Sequence, residues 1–160
     1  MVQLDEFELF DREVRRYDWD QLRQASEDWR KDVPGLLVDL VHAETEADAS
    51  DAYFRLEGGC FPQRLVTESC VAIVSCLLAM LAAKPPAFVV TWALEALRGI
   101  LGGEPIQSEI QAGSESLMED CRDAAKPGIW LLRGMISECP GPALKSLQRV
   151  LAEIDPDRQG

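Results

Sequence analysis

The residues with chemistry to offer are few. The chain has one histidine, His42, so a Ser-His-Asp triad or a multi-histidine metal centre would have to be built around it. His42 lies one residue past an apolar stripe, where a histidine caps the last carbonyls of a helix. Carboxylate neighbours such as Glu44/Glu46 and Glu119/Asp120 could supply an acid and a base, but general acid–base chemistry needs burial and no sequence feature indicates it. The expectation is solvated surface. Five cysteines (Cys60, Cys70, Cys76, Cys121 and Cys139) form no C-x-x-C pair and none stands at zinc-ligand spacing from His42. They read as free, buried thiols of a reducing cytoplasm. Gly58-Gly59-Cys60 and Gly102-Gly103-Glu104 follow helical patterns rather than strands, so they read as helix stops, not phosphate loops. The expectation is therefore no enzyme, no metal and no cofactor.

What does stand out is charge. Sixteen Lys and Arg face 28 Asp and Glu, a net charge of −12. That disfavours nucleic-acid phosphates and anionic membranes and favours a basic protein partner. The acid is uneven: residues 1–60 hold 7 basic and 16 acidic side chains. Between Lys31 and Arg55 there is no cation, and Asp32, Asp39, Glu44, Glu46, Asp48 and Asp51 all lie there. A second gap, from Arg98 to Arg122, holds Glu104, Glu109, Glu115, Glu119 and Asp120. Like charge at this density opposes folding by self-repulsion. The candidate partner-binding residues are Asp39, Glu44, Glu46, Asp48 and Asp51, joined by Tyr17 and Trp19, because aromatics ringed by carboxylates suit a basic partner. Trp29, ten residues beyond Trp19, fits an apolar face and is expected in the core.

One chain of 160 residues suits a single domain that needs no staple. Its acidic start lacks the basic and long apolar regions of a signal peptide, and its longest near-apolar run, 71–83, is too short to span a bilayer, so a cytoplasmic protein without membrane partners is expected. The periodicity is helical nearly throughout, giving an all-α class. Helices are expected at 19–30 (N-cap Asp18 or Asp20), 33–42 (N-cap Asp32, Pro34 in the first turn), 46–56 (N-cap Thr45, stopped by Gly58 and Gly59) and 68–83 (N-cap Thr67). Others are expected at 87–101, 116–125 (cap Ser114), 129–138 and 143–154. Val71, Val74, Leu77, Leu78 and Leu81 should be core. Residues 1–16 are ambiguous between a short strand and a helical turn, 17–154 form the domain, and 155–160 should fray.

Helix pairs beginning near 33, 68 and 115 suggest a short α-solenoid of stacked antiparallel pairs, the alternative being a compact helical bundle. The stretch Trp29-Arg-Lys-Asp-Val-Pro-Gly-Leu-Leu-Val-Asp-Leu-Val, followed by an Ala/Glu/Asp-rich and then an Ala/Leu/Val-rich helix, resembles HEAT-like repeat proteins of bacteria over residues 29–103. Gly141-Pro142-Ala143-Leu144 is a looser echo, and Gly35 departs from a good helix former. The resemblance implies an α-α superhelix used as a binding surface. Small acidic proteins of this kind also resemble immunity proteins that occlude a toxin, which gives the leading functional expectation; a HEAT-like adaptor or scaffold is the alternative. The DNA-repair glycosylases among HEAT-like folds require a basic face, which this chain lacks.

Overall fold

The computed structural model describes residues 7–155. Within them the chain is all-α apart from one two-residue parallel bridge, Leu65–Val66 against Glu104–Pro105. The expectations for 1–6 and for the tail beyond Asp155 lie outside the described residues.

The ambiguous N-terminal segment forms helix α1, Glu8–Arg15. Phe10 and Val14, one turn apart, are its buried face. Acids in its first turn (Glu8, Asp11) and arginines in its last (Arg12, Arg15) complement the helix dipole. The expected helix at 19–30 does not form. Only Trp19–Gln21 make a 3-10 turn, and Asp18 offers no side-chain cap. Leu22, Ala25 and Trp29 have the right spacing, and Arg23, Gln24 and Glu27 between them are good helix formers, yet tertiary contacts override the local preference, and Trp29 is 76% exposed rather than core. The segment is held instead by its own polar groups. The Arg30 guanidinium donates to the carbonyls of Trp19 and Leu22 at 3.0 and 2.9 Å. The Gln24 amide exchanges hydrogen bonds with the backbone of Lys31 at 2.7 and 2.9 Å. Ala25 N–H donates to the Gly59 carbonyl, and Ser69 N–H to that of Arg23. Satisfying these orphan backbone groups at neighbouring helix ends outweighs the local helical propensity.

Helix α2, Val33–Val41, begins as expected: the Asp32 carboxylate accepts from Gly35 N–H at 3.1 Å, and Pro34 sits in the first turn. A β-carbon at position 35 would lie 2.2 Å from that carboxylate, so the glycine makes room for the cap. Helix α3, Glu46–Cys60, is capped by Thr45 but runs through Gly58 and Gly59. They lie inside the helix: Gly59 packs under the Lys31 side chain, the helix ends at Cys60, and the chain turns left-handed beyond it at Gln63 and Arg64. Helix α4, Ser69–Ala82, is not capped by the Thr67 side chain, whose hydroxyl donates to the Cys60 carbonyl at 2.7 Å. Helix α5 spans Ala87–Leu101 as expected. Helix α6, Gln107–Gln111, had no apolar stripe to announce it. Helix α7 is Leu117–Ala125; Ser114 does not cap it but accepts from Arg23 at 2.9 Å. Helix α8, Ile129–Gly134, stops a turn early, and α9 is Gly141–Ile154. Asp155, expected to fray, is buried and pairs with Arg133 at 2.6 Å.

Helices α4 and α5 form the centre. Helix α4 packs on α1, α2, α5 and α7; α5 packs on α3, α4, α7 and α9. Ile73, Leu77, Met80, Leu94, Leu97 and Ile100 are wholly buried where they meet. Val74, Leu78 and Leu81 are core as expected, while Val71 is half-buried. Tyr53, Phe54 and Trp92 stack between α3 and α5, with ring centroids 4.9–5.5 Å apart. The Trp92 indole N–H is buried there without an acceptor among the described residues.

Candidate functional site

Helices α2 and α3 meet along an open cleft of about 400 Å³. Its apolar floor is Leu36, Val38 and Ala52; its walls carry Asp39, Glu44, Asp48 and Asp51. Four of the five acids expected to act together therefore share one depression. Glu46 is exposed in the first turn of α3 and does not line it. His42 and Arg55 complete the lining and were not anticipated there.

The local energetics of these acids differ. Glu46 and Asp48 sit in the first turn of α3, where the dipole favours them, and Asp48 N–H is capped by the Thr45 hydroxyl at 3.1 Å. Asp51 is answered one turn later by Arg55 at 3.1 Å, so the segment does find a cation, just past its end. The i, i+4 spacing of Asp51 and Arg55 was the signal for that pair. Asp39 has neither support. It lies in the last turn of α2, the end where negative charge is disfavoured. Neither it nor Glu44 makes an ion pair among the described residues, and both are exposed.

The chemistry open to this cleft is recognition of a cation. No Ser, Thr, Tyr or Cys side chain lines it. His42 meets the edge of the Phe7 ring, centroids 4.9 Å apart, and makes no hydrogen bond to a cleft carboxylate. Among the described residues no three His, Cys, Asp or Glu side chains come together as a metal site requires.

Tyr17 and Trp19 do not join the acids. Their rings pack edge to face, centroids 5.6 Å apart, at the C-terminal end of α1. The Trp19 indole N–H donates to the Val14 carbonyl at 2.7 Å. The Tyr17 hydroxyl lies 2.7 Å from Ser75 Oγ on α4 and 3.3 Å from the Glu13 carboxylate. Burial raises the Tyr17 pKa, which leaves the phenol a donor and not a base for Ser75. Neither aromatic lines the α2–α3 cleft; Tyr17 lines a separate groove with residues of α4.

Burial keeps the cysteines in the thiol form. Burial pushes Cys60 up to about 11 and Cys76 and Cys121 to about 12, and lifts Cys70 well above its ordinary range. All are free thiols, and Cys139 alone among them is not fully buried. Among the described residues no helix is long and apolar enough to cross a membrane.

The chain matches no family model, no curated protein and no solved structure.

Proposed function

We propose that the chain is an acidic, cytoplasmic protein-binding module, and that its partner is a basic protein, in the leading reading a toxin domain that it occludes as an immunity protein. The observation that carries this is the placement of Asp39 and Glu44. They lie at and beyond the C-terminal end of α2, where a helix disfavours acid, and they face Asp48 and Asp51 across a cleft whose lining holds Arg55 as its one Lys or Arg. Local folding energy gives no reason for acids there; a lysine or arginine brought by a partner does. Complementary charge would speed association and select the partner, and occlusion would be steric.

The stacked-pair arrangement of HEAT-like proteins is supported by α2–α3 and α4–α5, each joined by a connection of a few residues. The α1–α4 and α5–α9 contacts skip intervening helices and favour the compact bundle. The adaptor reading rests on the stacked pairs and would place the same cleft in a larger assembly.

The test is protection. Cells expressing a toxic product from an adjoining reading frame should survive when this chain is co-expressed. The variant Asp39→Asn, Glu44→Gln, Glu46→Gln, Asp48→Asn, Asp51→Asn should protect less and associate more slowly at low salt. Undiminished protection with an unaltered association rate rejects the reading. An adjoining reading frame for metabolic enzymes, with no toxin, points to the adaptor.

A further inference from the structure

Helix α4 is incompletely covered. Between α1 and α7 a stripe of it, Val71, Ser75, Leu78 and Ala82, follows helical spacing and forms the floor of a groove of about 750 Å³. The stripe runs about three turns, roughly 16 Å. Leu9 and Glu13 of α1, with Arg16 just past its end, make one wall; Asp120, Asp123 and Ala124 of α7 make the other. Leu9 is 59% exposed. At its far end the groove meets a second depression through the shared side chain of Leu131, and there Trp130 stands 78% exposed. Leu9 and Trp130, left in solvent beside a three-turn floor in which Leu78 is a core residue with 8% exposure and Ser75 is the one polar side chain, give the dimensions of a helix seat.

The walls differ in charge. At the α1 wall, Arg16 pairs with Glu13 at 3.1 Å, so that wall is balanced. At the α7 wall, Asp120 accepts from the Ser116 hydroxyl, and Asp123 pairs with Lys126, which does not line the groove, at 2.9 Å. The groove lining thus holds three carboxylates, Glu13, Asp120 and Asp123, against one cation, Arg16. We infer that this groove is a docking site for one amphipathic helix of a basic protein, its apolar face on α4 and its Lys or Arg edge against Asp120 and Asp123. The inference rests on the basic-partner reading above and adds to it a second contact surface, of a different kind from the α2–α3 cleft.

The probe is a labelled peptide of about 14 residues, four helical turns, with leucines at i, i+3, i+4 and i+7 and lysines flanking them. Two controls are the same peptide with Glu for Lys, and a scrambled Leu/Lys peptide without an apolar face. Binding is read by fluorescence anisotropy on the whole chain. The Leu/Lys helix should bind with an affinity at least about tenfold above both controls, and salt should weaken it. Ala82→Arg, at an exposed position on the floor, should abolish binding. Asp120→Asn with Asp123→Asn should weaken it several-fold, and neutralising the α2–α3 cleft should leave it unchanged. Circular dichroism checks that each variant stays helical.

Equal binding of the Glu peptide or the scrambled peptide overturns the proposal. So does binding that survives Ala82→Arg, or that is lost with the α2–α3 acids instead; in that last case the basic-partner reading stands and the groove alone falls. A chain that dimerises in sedimentation, and is monomeric as Ala82→Arg, also overturns it, because the occupant is then a second copy.

Discussion

Arg23 and Glu109, 86 residues apart, meet as two planar forks: Nε donates to one carboxylate oxygen at 2.8 Å and Nη2 to the other at 3.0 Å. Glu109 is 1% exposed, a carboxylate sealed under the guanidinium that answers it. Arg23 also reaches Ser114 and Glu68, so one side chain binds the irregular segment before α2 to α4 and α6. Bidentate pairing of this kind gives direction as well as energy.

Glu109→Gln should therefore destabilise the fold. Arg23 is 42% exposed, so the loss should be about 1–3 kcal/mol, below the cost of breaking a fully buried pair. Burial alone would raise the Glu109 pKa, but the Arg23 hydrogen bonds and charge prevail and hold it below its ordinary value. A carboxyl depressed in the folded state stabilises above its unfolded pKa of about 4.3 and ceases to as pH falls through the folded value. Denaturant midpoints of wild type and Glu109→Gln should differ at pH 7 and converge below pH 4; a constant gap across that range refutes the pairing.

Gly103 sits at the parallel bridge, where an added β-carbon would lie 2.3 Å from the Arg64 carbonyl oxygen and 2.9 Å from that of Gly99. Both are backbone and cannot rotate aside. Gly103→Ala should cost about 2 kcal/mol or more, comparable with Leu77→Ala in the centre of α4 at about 2–5 kcal/mol. Gly134→Ala, where nothing lies within 4 Å, is the control and should be neutral or slightly stabilising in thermal melts.

Neutralising Asp39, Glu44, Glu46, Asp48 and Asp51 should leave the melting temperature unchanged or slightly higher. The losses are small: the Asp51–Arg55 pair, both partners 64% exposed, is worth about 0.3–0.5 kcal/mol, and the dipole support of Glu46 and Asp48 is of similar size. Relief of self-repulsion works the other way. A large fall in stability would make these acids structural.

Thiol reactivity should be graded. At pH 8 a disulfide reagent should label Cys139 first, the other four thiols reacting only on unfolding. Burial raises the Cys139 pKa as well, but it is half-open to solvent, whereas the others are both buried and protonated. Rapid labelling of two or more thiols in the native protein would refute the burial.

The long apolar helices were legible because their patterns and stops agree: Ala87–Leu101 between paired prolines and paired glycines, and Val33–Val41 behind Asp32 and Pro34. The expected helix over Trp19–Arg30 failed for the opposite reason. Its apolar spacing was three residues deep, and the side chains that decide its path, Arg23, Gln24 and Arg30, find partners far along the chain or on the backbone beside it. Gly58 and Gly59 misled because a glycine that ends a helix and one that admits a neighbouring side chain look alike in sequence. Of the candidate site, the clustering of Asp39, Glu44, Asp48 and Asp51 was readable from a single cation-free stretch. The separation of Tyr17 and Trp19 from them was not, since it depends on which face of α4 receives α1.

Helix α5 is shared by four helices drawn from both halves of the chain. A linear repeat array can gain or lose a unit at its end and leave the rest standing. Here the last helix, α9, lies against α5, so the final helical segment is part of the frame that holds the first half together. A change in α9 is therefore felt at α5 and, through it, at α3 and α4.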